Sequence, residues 1–342
     1  MPFGVGIVDE NPWAPLLLGV SIAIAFLLTR CAFDGLFLAI WGFPAGSNPL
    51  WRSSIWWPEV VNATLLGYVP AALATARRGI DRDLDSLKPR LLSDKAEAGD
   101  IRGTATRPIG LAGRAFILCA FLSTVALLFV DPSVSGAAPS ITNPTFMWPL
   151  IRIPIFIGFV CILIVSDLKA TRAYLHLGRN LVDVELLDVQ SLSPFARRGL
   201  RSSLMWMIFL IIFSLFWLGE GTAARQNPLV FVVLLTMAIV AFVVPLVGVH
   251  NNIRSVKHLE LERLRGKIRV ERAVVVDELA DEERASPRLA NLIAYYHLVE
   301  RVREWPIDAA NLLRFFVYLF VGLGSWLGGA VVERLLDNTL GG

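Results

Sequence analysis

The stretch PLVFVVLLTMAIVAFVVPLVGV, residues 228–249, decides the fold class of this chain. It contains 22 consecutive residues without a charge, and about 20 apolar residues are what an α-helix needs to cross the hydrocarbon core of a bilayer. The apolar residues also cover most of the helix circumference, as expected for a helix that is surrounded by lipid and other helices. The sequence therefore predicts an all-α, polytopic membrane protein.

Six similar stretches occur elsewhere in the 342 residues, and arginine-dense segments separate them. The overall composition agrees, because 18% of the residues are charged, whereas soluble domains carry about 25%. We predict seven transmembrane helices at about 14–42, 57–76, 114–131, 147–167, 204–219, 228–249 and 309–333.

The distribution of lysine and arginine predicts the orientation of these spans. Of the 32 basic residues, 26 lie in the three stretches 77–114, 168–202 and 251–305. Basic loops stay on the cytoplasmic side of a membrane, so we expect a cytoplasmic N-terminus and a C-terminus outside. The glycines of the last segment also leave open a re-entrant hairpin, although its length of about 25 residues is sufficient to cross.

We divide the chain into three parts by these patterns. Residues 1–250 hold transmembrane helices one to six, with cytoplasmic loops at 77–112 and 168–202. The fourth helix is expected to continue past Asp167 into the cytoplasm, as far as about residue 189. Residues 251–305 are predicted to form a cytoplasmic helical hairpin, and residues 306–342 the seventh helix with a short outer tail.

The last span differs from the others in its small residues. They are Gly322, Gly324, Ser325, Gly328 and Gly329. Small residues four apart let helix backbones approach closely in a membrane. This pattern is typical of helix packing within one subunit, and also of a helix that gathers with its copies around an axis and lines a pore.

Several charged residues lie within or at the ends of the predicted spans, and such residues are functional candidates because they are costly in lipid. They are Arg30, Asp34, Arg152, Asp308, Arg314 and Glu333. Arg30 and Asp34 are four apart on one helix, so we expect them to pair. Arg152, near the outer end of its span, is expected to reach the headgroups. The acidic groups at the ends of the last span suit either a cation-attracting pore mouth or an ordinary helix end.

Motifs for catalysis and cofactors are missing from the sequence, which has no P-loop, no GxSxG and no HExxH. The four histidines all fall in the predicted cytoplasmic layer without metal-ligand spacing. The dispersed basic residues do not form a nucleic-acid-binding patch. We therefore expect no enzyme activity, no catalytic residues, no metal, no cofactor and no nucleic-acid partner.

The layout of seven spans, with an inner N-terminus and helices four and six extended into the cytoplasm, resembles the insect odorant- and gustatory-receptor type of channel. The last span, RFFVYLFVGLGSWLGG at residues 314–329, follows a cytoplasmic helix in both. The resemblance implies a homo-oligomer held by a cytoplasmic anchor, with the last helix lining a cation pore.

The sequence thus favours a homo-oligomeric channel for cations, with helix 309–333 as the pore lining and membrane lipids as its surroundings. A secondary transporter or lipid-acting membrane protein with a polar site near Arg30 and Asp34 is the first alternative. A non-catalytic scaffold or sensor subunit, whose loop 77–112 binds a soluble cytoplasmic partner, is the second.

Overall fold

The computed structural model describes residues 11–41, 56–90, 109–129, 144–182, 184–218, 228–278 and 287–340. Within these ranges the chain forms eight α-helices and no strand, which confirms the predicted all-α class. The helices are α1 (Ala14–Trp41), α2 (Trp56–Leu87), α3 (Ile109–Phe129), α4 (Pro144–His176), α5 (Ser193–Ser214), α6 (Pro228–Glu278), α7 (Pro287–Glu300) and α8 (Ala309–Leu340).

Three of the described helices are long and apolar enough to cross a membrane. The stretches that meet this condition are Ala14–Leu36 in α1, Met147–Asn180 from α4 onward, and Leu229–Ala273 in α6. Two shorter apolar stretches are Gly113–Val125 in α3 and Ala309–Gly324 in α8. A membrane location is consistent with these lengths, but the number of clear candidates is three and not the seven that the sequence predicts.

The other predicted spans fall on helices that are interrupted by charge or described only in part. Glu59 and Asn62 lie in the first turns of α2. The 22 residues of α5 include Arg197, Arg198 and Arg201, so the apolar stretch that follows Arg201 in this helix is short. For α3 and α8, the side chains of the end turns are outside the described part of the chain.

Glycines bring the backbones of neighbouring helices into direct contact. A Cβ atom on Gly19 of α1 would lie 2.8 Å from the carbonyl oxygen of Gly67 on α2. A Cβ atom on Gly199 of α5 would lie 2.6 Å from the carbonyl oxygen of Phe242 on α6. Because any side chain at these positions would collide with backbone, the glycines set the distance between the helices.

The buried side chains form two clusters, one along the spans and one at their cytoplasmic ends by the predicted orientation. The first includes Leu65, Leu163 and Phe209, from α2, α4 and α5. The second cluster joins the C-terminal ends of α2 and α4, the N-terminal end of α5 and the middle of α6 to α7 and α8. Val299 of α7 and Phe315 of α8 both belong to this second cluster, so α7 shares one core with the start of the last helix.

The predicted continuation of the fourth helix to about residue 189 is wrong. The helix ends at His176, and one π-helical turn, Leu177–Leu181, follows it. Gly178 lies so close to α6 that a Cβ atom there would be 2.6 Å from Val249 Cγ2. Asn252 of α6 donates its side-chain amide to the carbonyl oxygens of Gly178 and Val182, at 3.0 and 3.2 Å. These bonds replace the helical partners that the two carbonyls would otherwise need.

The sixth and last helices are both continuous. The 51 residues of α6 extend about 77 Å at 1.5 Å per residue, so the predicted extension beyond the apolar stretch is confirmed. The 32 residues of α8 form one helix through all four of its glycines, without the break that a re-entrant hairpin needs.

The contact between α1 and α2 gives a first testable expectation. We expect Gly67→Ala to lower the stability of the purified protein by about 1–3 kcal/mol, the usual cost of overpacking, because the new methyl group meets the Gly19 carbonyl. Thermal unfolding in detergent measures the effect. Gly35→Ala is the matched control, since nothing lies within 4 Å of a Cβ there, and equal midpoints for the two variants would contradict this packing.

Candidate functional site

Asp167, on α4, lies at the centre of a buried polar group between α4 and α5. Its carboxylate accepts bonds from Arg198 Nη2 at 2.7 Å, Ser202 Oγ at 2.6 Å and Trp206 Nε1 at 3.0 Å. The three donors are each four residues apart, so they lie on one face of α5. The carboxyl side chain is 8% exposed and the guanidinium side chain 2% exposed, so the negative charge is matched inside the protein.

Asp83 forms a second buried pair close to the C-terminal end of α2. It forms an ion pair with Arg201, and Arg197 Nε lies 3.9 Å from it. The Tyr174 hydroxyl donates to Asp83 Oδ2 at 3.4 Å.

The predicted outer end of the bundle holds a second polar cluster. Glu59 of α2 is buried, and its Oε1 accepts bonds from Arg152 Nη1 at 2.6 Å and Trp148 Nε1 at 3.0 Å. Arg152 therefore pairs with Glu59 inside the bundle, at the predicted outer end of its span.

Arg30 and Asp34 form the predicted ion pair on α1, and the structure places this pair beside the Glu59 cluster. The Arg30 guanidinium lies 4.9 Å from the centre of the Trp148 ring, within the range of a cation–π contact. Glu59 Oε2, Arg30 Nε and Arg152 Nε are buried without a hydrogen-bond partner in the described part of the chain. The outer cluster therefore retains capacity for further polar contacts.

The separation of the two clusters is close to the thickness of a membrane. Glu59 and Asp83 are 24 residues apart on α2, or about 36 Å at 1.5 Å per residue. Their partners on α4, Arg152 and Tyr174, are 22 residues apart, or about 33 Å. The two helices thus separate the clusters by similar distances, and a bilayer core is about 30 Å thick.

A third feature is the joint that links α7 to α8. The ring of His250, on α6, stacks on Trp305 with centroids 4.2 Å apart, and its Nδ1 lies 3.1 Å from the Glu304 carbonyl oxygen. Lys257 Nζ donates to the Val302 carbonyl at 2.9 Å. The joint between α7 and α8 is therefore held against α6 by stacking and by hydrogen bonds to its backbone.

The two faces of α8 have different surroundings. Phe315 stacks on Phe242 of α6 with ring centroids 4.1 Å apart, and a Cβ atom on Gly322 would lie 2.7 Å from Met207 Sδ of α5. Gly322 therefore serves packing within the subunit. In contrast, nothing lies within 4 Å of a Cβ on Gly324, so this glycine faces away from the described part of its own chain.

The remaining predicted site residues are not brought together. Asp308 is exposed just before α8, and its carbonyl accepts the backbone N–H groups of Asn311 and Leu312, so it occupies the predicted cap position. Arg314 is exposed one turn further on. The side chains predicted to matter beyond this point lie outside the described residues: Ser325, Gly328, Gly329 and Glu333.

Sequence reasoning missed the carboxylates that organise the bundle: Glu59, Asp83 and Asp167. Glu59 and Asp167 fall within predicted spans, and an acidic residue there is a signal that a partner should be sought. Their partners, however, are 93 and 31 residues away in sequence, and only the packing of the helices shows them. Among the described residues, no group of three or more His, Cys, Asp or Glu is placed to hold a metal ion.

Comparison with known proteins adds no relative. No protein-family model, no curated protein and no solved structure matches the chain. A function for the chain is therefore argued from the geometry of the molecule itself.

The Asp167 pair gives a second testable expectation. We expect Asp167→Ala to destabilise the protein by about 3–5 kcal/mol, because it leaves the buried guanidinium of Arg198 without a counter-charge. Asp85→Ala removes an exposed carboxylate that lies 2.7 Å from Lys88 Nζ and should cost less than about 1 kcal/mol. Denaturation of both variants in the same detergent measures the difference, and similar losses would contradict a stabilising role for the buried pair.

Proposed function

We propose that this protein is a homo-oligomeric membrane channel for cations, in which α8 faces its copies around a central axis. The observation that carries the proposal is the open face of α8. Leu313, Val317 and Phe320 are 65%, 49% and 68% exposed, and Gly324 continues the same helical row. This row lies away from the side that packs on α5 and α6.

The position of Gly324 suits contact with another copy of the helix. A glycine without neighbours on an apolar face lets a second backbone approach closely. Gly328 follows four residues later and belongs to the same row by the helical period. The GxxxG pair is thus available between subunits, whereas Gly322 is used within one subunit.

An apolar row is compatible with conduction if it forms the gate. Hydrophobic constrictions close a pore by excluding water, and charged groups at the mouths select the ion. Asp308 at the cytoplasmic end and Glu333 at the outer end would supply the negative charge that attracts cations.

The cytoplasmic helices offer a surface for assembly. Leu259 and Val270 of α6 are 67% and 66% exposed, and Leu298 of α7 is 51% exposed. Apolar side chains of this size, exposed beyond the predicted membrane boundary, are typical of protein–protein contacts. We propose that they form the anchor between subunits.

The joint at Trp305 would couple this anchor to the pore. His250 and Lys257 hold the end of α7 against α6, and α8 starts directly after the joint. A movement of α7 would therefore change the angle at which α8 enters the membrane. The chain resembles insect odorant and gustatory receptors in this respect, since a cytoplasmic helix precedes the last span in both.

Seven spans with a cytoplasmic N-terminus and an outer C-terminus are part of the proposal. The matching spacing of the charged clusters on α2 and α4 supports a crossing by both helices. Their charges lie at the two ends, where water and headgroups are close, and the apolar cluster lies between them.

Substitution of Gly324 tests the channel. We expect Gly324→Leu to alter or block single-channel conductance in planar bilayers while folding and oligomer size stay unchanged, because the added side chain enters the shared face of α8. Gly35→Leu, also at an open position but on α1, should conduct as the unmodified protein does. A monomeric protein that is electrically silent in bilayers would overturn the proposal.

The outer cluster favours a secondary transporter as a second candidate. Glu59 is 2% exposed, and its second carboxylate oxygen, together with the Nε atoms of Arg30 and Arg152, has no partner among the described residues. Buried polar atoms that lack a hydrogen-bond partner are expected where a polar solute binds.

The double substitution Glu59→Gln with Arg152→Gln tests this candidate, since it removes opposite charges together and leaves no uncompensated ion. For a transporter, we expect solute uptake into proteoliposomes to fall at least tenfold while the thermal midpoint changes little. Asp85→Asn, on the cytoplasmic surface, is the control. Unchanged uptake, or conductance without any uptake, would exclude the outer cluster as a transport site.

A further inference from the structure

A groove that none of the proposed functions uses lies between α1, α2 and α5. Its volume is about 260 Å³, at the small end of the range of roughly 300–1,000 Å³ that is typical of ligand pockets. It is open along one side and lined almost entirely by apolar atoms: Pro15, Leu16, Tyr68, Ala71, Ala72, Thr75, Ala76, Arg201, Leu204, Met205 and Ile208.

Short side chains on α2 create this groove. Three alanines and Thr75 line it, and Gly19 holds α1 close beside them. From Tyr68 to Ala76 the groove follows eight residues of α2, or about 12 Å. A slot of this length and volume holds a segment of one extended hydrocarbon chain and is too small for a whole lipid.

The cytoplasmic end of the groove is positively charged. Arg201 lines it, and Arg77 and Arg78 follow directly after Ala76 on α2. Even with Asp83 as its partner, burial and repulsion from Arg82 lower the pKa of Arg201 to about 10. The surroundings thus disfavour the charged form of Arg201, and an anion at this position would offset the cost.

We infer that this groove binds an anionic phospholipid of the inner leaflet, with one acyl chain in the apolar slot and its phosphate beside Arg201. Charge complementarity identifies the occupant, because a slot that is apolar along its length and cationic at its membrane-boundary end matches an amphiphile with a negative head. The exposed Trp13, at the start of α1, lies near the same end, where tryptophan prefers the headgroup level.

Native mass spectrometry of the purified full-length protein tests the inference. The probes are a phosphatidylglycerol, a phosphatidylcholine with the same acyl chains, and glycerol 3-phosphate. We expect one phosphatidylglycerol to bind at least fivefold more tightly than the phosphatidylcholine, and glycerol 3-phosphate not to compete. Equal binding of the two lipids, or competition by the head group alone, would overturn the assignment.

Thr75→Phe fills the slot from an exposed position, so it should fold normally and weaken phosphatidylglycerol binding at least tenfold. The matched control is Thr236→Phe on α6. Thr236 is exposed and donates to the carbonyl four residues earlier at 2.8 Å, as Thr75 does at 2.9 Å, but it lies outside the groove. If both variants bind lipid as the unmodified protein does, the groove is not the site.

A second variant tests the charged end separately. Arg201→Gln combined with Asp83→Asn removes both members of a buried pair, and should abolish the preference for phosphatidylglycerol over phosphatidylcholine. A preference that persists in the folded double variant would show that Arg201 does not contact the phosphate. The Thr75 comparison decides the role of the slot independently of this result.

Discussion

A carboxylate that is shielded from water is stable only if the protein matches its charge, and this constraint determines how α2, α4 and α5 pack. Asp167 binds three donors on one face of α5, and Asp83 and Glu59 bind arginines from other helices. Each pair is satisfied in one relative position of its helices. Because lipid provides no hydrophobic drive between helices, such pairs contribute specificity that apolar packing alone does not give.

The same helices carry the rest of the molecule. α8 packs on α5 and α6 through Phe315 and Gly322, so the position of the last helix depends on the pairs that hold α5 in place. Its open face, with Leu313, Phe320 and Gly324, is left for lipid or for another copy. The joint at Trp305 lies against α6, and this contact connects the core around α7 to the start of α8.

Much of the architecture follows from local patterns. The long α6, the continuous α8 and the Arg30–Asp34 pair were predicted because each depends on residues within a few turns of one helix. The end of the fourth helix was not, since the bonds from Asn252 to Gly178 and Val182 come from 70 or more residues away. The Arg152–Glu59 pair was not predicted for the same reason, because Glu59 lies on another helix.

The sequence by itself determined that the chain is all-α, which of its stretches are apolar, and where the small residues of the last helix lie, because helical period and hydropathy are local properties. Only the tertiary structure decided which glycine of α8 packs within the subunit and which remains open. It also decided which arginine matches each buried carboxylate. These pairings and contacts join helices that are far apart in sequence, and no local sequence pattern predicts them.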